Sequence, residues 1–210
     1  MTENITVLTH SSIRIKDAEK TIYIDPFKVE GTPGDADLIL VTHDHYDHFS
    51  PEDIAKIAKP DTILIVPENM AKKAQEVAEL VAAIETVRPG ASYEIAGLKM
   101  ETVPSYNMLK PFHPKKAGWV GYILETGGKR VYIAGDTDAT KEAEQVDCDI
   151  AMIPIGGTYT MDAKKAAKLI NVMKPAVAIP THYGNIVGKP EDGETFAMLV
   201  EAPVEVELKI

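Results

Sequence analysis

The chain has 210 residues, 22 basic against 32 acidic side chains, six histidines and one cysteine. A net charge of −10 weighs against a nucleic-acid or membrane-surface binder, which needs a basic face, and 45% apolar residues exclude disorder as the main state. Cys148 forms no internal disulfide, and without a visible signal peptide or an apolar run of roughly 20 residues the expectation is a cytoplasmic protein with no transmembrane segment.

Short β-rich runs alternate with helical patterns, which predicts an α/β fold. Strands are expected at residues 5–8, 13–15, 22–24 and 38–41. Ser50, Pro51 and Asp53 then read as an N-cap, a first-turn proline and a first-turn acid, so a helix should begin right after His48. A strand at 62–66 precedes the segment 70–83, where Asn69 offers a cap and Ala71, Ala74, Val77, Ala78 and Val81 make an apolar stripe; this predicts an amphipathic helix. Strands follow at 98–103, 119–124 and 131–134, the last two joined by a turn at Gly127-Gly128. Next come a short helix over 140–145, a strand at 150–155, a helix over 162–173 and a strand at 176–179. The final strand, 204–208, alternates Val204, Val206 and Leu208 against Glu205 and Glu207, so it should be half exposed.

The two halves, about 1–97 and 98–210, echo each other. Residues 20–25 resemble 129–134, 35–40 resemble 147–152, and 59–64 resemble 174–179, in the same order and at nearly constant spacing. Two similar βα units sharing a core make one domain over 1–210, with two sheets packed face to face and helices outside. The echoed strands end in polar loops at Asp25, Thr42 to His48, Gly135-Asp136, Gly156-Gly157 and Thr181-His182, and ligands in α/β sheets bind beyond the carboxyl ends of strands.

The loop His43-Asp44-His45-Tyr46-Asp47-His48 leaves an apolar strand and carries three histidines and two acids, a density that core packing does not explain. Histidines spaced i, i+2 on an extended segment point to one side and can chelate one ion, whereas Asp47 and His48 point elsewhere and can begin a second site. A carboxylate on a glycine-preceded turn, Asp136, can approach two cations at once, although it is also a candidate helix cap. His182 directly follows a strand, where a buried structural histidine is the alternative. No Ser-His-Asp set or phosphate-binding glycine loop competes for the chemistry.

His43-x-His45-x-Asp47-His48 resembles the signature of the metallo-β-lactamase superfamily, whose members are four-layer αββα sandwiches of two similar halves. The resemblance implies that Asp25 orients a ligand histidine, that Asp136 bridges two metals and that His182 is the final histidine. The commonest pattern has a histidine where this chain has Asn107, so His113 is assigned to the first site with His43 and His45. Phe112-His113-Pro114-Lys115, Gly118-Trp119-Val-Gly121-Tyr122 and Gly156-Gly-Thr-Tyr159 are similar to the lactonase-like branch, which resembles the ascorbate-6-phosphate lactonase and N-acylphosphatidylethanolamine phospholipase D groups.

The implied metal ligands are His43, His45, Asp47, His48, His113, Asp136 and His182, with Asp47 and Asp136 also expected to be catalytic. Asp25 and His10 stand behind them, and Asn107, Lys110, Tyr159 and Tyr183 are candidates for substrate contact. The expected cofactor is two divalent ions, zinc first, with manganese, iron or nickel tolerated by the carboxylates. The expected reaction is attack by a hydroxide made between the cations on a small intracellular ester or lactone. A phosphodiesterase for a lipid or cyclic phosphate and a non-enzymatic metal-sensing module are the alternatives. The partner is a small molecule that is anionic if the lysines around His113 receive it, nucleic acid is not expected, and a homo-oligomer is compatible.

Overall fold

Runs such as Leu38–Leu40, Ile150–Pro154 and Val177–Thr181 are buried at every position, so they can only be strands covered on both faces, as parallel central strands are. The computed structural model, described for residues 2–17 and 20–210, bears this out. The chain divides into two units, Met1–Arg88 and Pro89–Ile210.

The first unit contains β1 (Ile5–Thr9), β2 (Ser12–Lys16), β3 (Thr21–Ile24), β4 (Leu38–Leu40), α1 (Pro51–Ile57), β5 (Ile63–Pro67) and β6 (Ala83–Val87). Its sheet runs in chain order, antiparallel from β1 to β3 and parallel from β3 to β6. Tyr23, Ile39, Val41, Phe49, Ile54, Ile57 and Leu64 pack α1 onto the sheet. Ser50 caps α1 by accepting from the N–H of Asp53, as its sequence announces.

The second unit contains β7 (Ser92–Ile95), β8 (Leu98–Pro104), β9 (Val120–Thr126), β10 (Lys129–Ile133), α2 (Lys141–Glu144), β11 (Ile150–Pro154), α3 (Ala163–Met173), β12 (Val177–Thr181), α4 (Glu191–Leu199) and β13 (Glu205–Val206). Its sheet order is β13-β12-β11-β10-β9-β8-β7, antiparallel from β7 to β10 and parallel from β10 to β13. The echoed segments fall on β3, β4 and β5 and on β10, β11 and β12, which hold equivalent places in the two sheets. Asp25, the His43 loop, Asp136 and His182 all follow the carboxyl ends of these strands.

Three elements differ from expectation. Residues 70–83 form no α-helix: two 3-10 turns, Glu68–Met70 and Lys73–Leu80, lead into β6. Ala74 and Val77 are buried from a 3-10 turn as well as they would be from a helix, and residues 83–87 are taken by parallel pairing with β5. β7 and α4 were not anticipated; α4 has Pro190 at its cap without a side-chain hydrogen bond and a glycine inside it, so it lacks the usual sequence signals. The cap of α2 is Thr140, which accepts from the N–H of Ala143, so Asp136 does not serve as its cap.

Candidate metal centre

In the first unit, three imidazoles leave β4 together. Asp25, 1% exposed, is the organising group. It accepts hydrogen bonds from the N–H of Thr42 and from the Thr42 hydroxyl, both at 2.7 Å, and from His48 Nδ1 at 2.7 Å. A carboxylate only accepts, so His48 carries its proton on Nδ1 and presents the lone pair of Nε2. Thr42 has committed its hydroxyl proton to Asp25, so its oxygen accepts from His43 Nδ1 at 2.9 Å, and His43 likewise presents Nε2. One buried carboxylate therefore sets the tautomer of two histidines, directly and through a threonine.

His43 Nε2 and His45 Nδ1 lie 3.1 Å apart. Two nitrogens bound at about 2.0–2.1 Å to one tetrahedral zinc would be roughly 3.3 Å apart, so the pair already has the spacing of two ligands on one ion. Asp47, 8% exposed, receives His10 Nε2 on its Oδ2 at 3.2 Å, and His48 Nε2 is 3.7 Å from the same oxygen. His10 is fully buried in the two-residue turn between β1 and β2, so its ring serves Asp47 rather than solvent. Tyr46, between His45 and Asp47, points outward at 65% exposure and meets Phe27 edge to face at 5.9 Å.

In the second unit, Asp136 follows β10 and is almost fully buried. Its Oδ2 lies 3.2 Å from His113 Nε2 and 3.1 Å from His182 Nε2, so one carboxylate oxygen sits between two imidazoles. This donor set, like that of the first unit, fits a divalent transition metal: imidazole nitrogens with a carboxylate at ligand spacing, all buried except the partly buried His45. Asn107 braces His113, its amide reaching His113 Nδ1 at 3.2 Å while donating to the Tyr159 carbonyl at 2.7 Å. Trp119 meets the His113 ring edge to face at 5.5 Å.

The backbone concentrates strain at these places. Seven non-glycine residues among those described have positive φ, and four of them are His10 (53°), Asp25 (48°), His113 (56°) and His182 (58°). Each such conformation costs on the order of 1 kcal/mol and persists where the surroundings over-determine it. Gly156 makes room for His182: a Cβ there would lie 2.3 Å from the His182 carbonyl oxygen and 3.2 Å from its Nδ1.

The candidates for substrate contact divide. Tyr159 is partly exposed and packs edge to face on Phe112 at 4.9 Å. Asn107 is buried and occupied with His113. The Lys110 ammonium is held by Asp138 Oδ1 at 2.7 Å and by the Thr160 carbonyl. Tyr183 is 2% exposed with its ring against Gly193 of α4, where burial raises its pKa. Three positioning residues were given no role by the sequence: Thr42 and Gly156, which lie within segments singled out there, and Lys73, which carries no motif. The Lys73 ammonium lies over the Phe49 ring and donates to the Asp44 carbonyl, holding the histidine loop from behind.

The β-lactamase superfamily domain family matches residues 4–182, a span that includes every candidate ligand. The chain is 34% identical to a UPF0173 metal-dependent hydrolase of Thermococcus onnurineus, over 95% of this chain and 92% of that one. It is 35% identical to one of Pyrococcus abyssi, over 92% and 90%. The chain belongs to the UPF0173 metal-dependent hydrolases of the β-lactamase superfamily. A crystal structure of a Parabacteroides distasonis protein described as a metal-dependent hydrolase superposes with a TM-score of 0.81 at 32% identity, covering 97% of this chain and 91% of that one. The fold is accordingly that of the metallo-β-lactamases, and this UPF0173 member is a metal-dependent hydrolase with histidine and aspartate groups able to bind metal. No helix among the described residues is long and apolar enough to cross a membrane.

Proposed function

We propose that the chain hydrolyses a small ester or lactone with two divalent cations, zinc first. His43, His45, Asp47 and His48 of the first unit and His113, Asp136 and His182 of the second would be the metal ligands. The observation that carries the reading is the Asp25–Thr42 relay, which gives His43 and His48 the tautomer a metal requires through hydrogen bonds of 2.7 and 2.9 Å. A packing motif has no need of that tautomer. Bound cations would supply Lewis acidity to a carbonyl and to water.

The remaining work falls to the chain. Asp47, fixed by His10 on Oδ2, is the carboxylate placed to take a proton at that oxygen during attack and return it to the leaving group. His10 keeps this carboxylate in one rotamer, so the proton is exchanged at a defined atom. Tyr46, exposed between two candidate ligands, offers an aromatic surface to the organic part of the substrate.

A carbonyl substrate is favoured over a phosphodiester by two of the three lysines near His113. Lys110 is paired with Asp138 at 2.7 Å and Lys115 with Glu142 at 2.6 Å, so neither ammonium is held ready for a phosphate. The test is turnover of a dihydrocoumarin lactone beside bis(p-nitrophenyl) phosphate by metal-loaded protein. The reading expects the lactone to be the better substrate by kcat/KM, with His45→Ala inactive on both. Preference for the phosphodiester would replace the substrate class, and full hydrolysis by His45→Ala would overturn the mechanism.

A further inference from the structure

A cleft lies beside the loop segment that precedes His113. Residues 165, 168, 169 and 172 of α3 are spaced i, i+3, i+4 and i+7, so Lys165, Lys168, Leu169 and Val172 share one face of the helix. That face and the loop residues Met108 and Leu109 enclose a cleft of about 440 Å³, within the size range of small-molecule sites. Its lining is mainly apolar. Leu109 is 97% exposed, Val172 60% and Met108 56%, a grouping of large apolar side chains that soluble surfaces seldom leave uncovered.

The charges at the rim decide what would cover it. In a chain of net charge −10, Lys165 and Lys168 enter no ion pair among the described residues, whereas Lys110 on the same rim is neutralised by Asp138. Glu144 is the one acid of the lining outside such a pair. An apolar trough whose edge carries two ammonium groups outside any ion pair, against one such carboxylate, favours one chemistry: an alkyl chain ending in an anionic head.

We infer that this cleft binds a single-chain anionic amphiphile, of the class of a medium-chain carboxylate, with its chain between Leu109 and Val172 and its head at Lys165 and Lys168. The site stands independently of the hydrolytic reading. It would also touch the active segment from behind, because the N–H of Met108 and the ammonium of Lys110 are both tied to Asp138, two residues beyond Asp136.

The probe is dodecanoate below its micellar concentration, read by displacement of anilinonaphthalene sulfonate fluorescence from the purified full chain and by calorimetry. One saturable site per chain is expected, weakened about tenfold or more by Val172→Glu and by Lys165→Glu/Lys168→Glu, both on the helix surface, with circular dichroism confirming the fold. Dodecyltrimethylammonium should displace the dye poorly. Equal displacement by the cationic chain, or unchanged affinity in both variants, overturns the proposal. So does a dimer seen by sedimentation that Leu109→Ser dissociates while dodecanoate leaves it intact, since a second copy would then be the occupant. Binding to anionic vesicles with none to monomeric dodecanoate would assign the face to a lipid surface instead.

Discussion

Asp25 and His48 are joined by a 2.7 Å hydrogen bond between two almost fully buried side chains, and Asp25 makes it from a backbone φ of 48°. Through Thr42 the same carboxylate also governs His43. Asp25→Ala should therefore lower metal affinity about 10- to 100-fold without removing a ligand. Competition against a chromogenic chelator measures this, and an affinity equal to that of the natural chain would show that the relay is packing alone.

Asn107 is predicted to behave as a support for His113 and not as a contact for substrate. Asn107→Ala takes the donor from the Tyr159 carbonyl and the amide partner from His113 Nδ1, at about 1 kcal/mol of stability. Metal affinity should fall, while KM for a lactone changes less than kcat. A rise in KM alone would return Asn107 to the substrate.

Gly156→Ala should damage the second unit although alanine is a small change. Its Cβ meets the His182 carbonyl oxygen at 2.3 Å, a backbone atom that cannot swing aside. Overpacking of this kind costs about 1–3 kcal/mol, which a urea midpoint resolves, and the displaced His182 should weaken metal binding in the same variant.

Acid sensitivity is expected from Asp53. Burial raises its pKa, but the Lys56 ammonium, the Ser50 hydroxyl and the N–H groups of Val29 and Lys28 outweigh burial and hold the carboxyl below its ordinary value. A depressed native pKa stabilises the fold above the unfolded value of about 3.9, and the contribution disappears as pH falls through the lower native value. Urea midpoints measured between neutral pH and pH 3 should fall more steeply for the natural chain than for Asp53→Asn.

Cys148 should be a poor nucleophile. Burial, with Asp147 next in effect, pushes its thiol up to about 12, so little thiolate exists at pH 8. Alkylation by iodoacetamide should be far slower in the folded chain than in urea, and equal rates would contradict the burial of the sulfur.

The histidine loop was legible because its chemistry is packed into the residues from His43 to His48, where no packing role competes. The strands were legible because their apolar runs are short and bounded, and the cap Ser50 because a side chain and an N–H three residues on form one local unit. What stayed hidden depends on partners distant in sequence. Thr42 is an ordinary threonine until Asp25, 17 residues away, takes its proton. Asn107 gains its role from the Tyr159 carbonyl, 52 residues on, and the stripe at Ala74 and Val77 signals burial without specifying the kind of helix.

The central claim is that the two histidine sets hold metal and that the metal drives hydrolysis. Metal content by elemental analysis, taken alongside lactone turnover in the natural chain and in His45→Ala, tests it most directly. The account predicts two ions per natural chain, loss of one in the variant, and a rate at least about 100-fold lower. A variant that retains both ions, or that turns over the lactone at the natural rate, would contradict it.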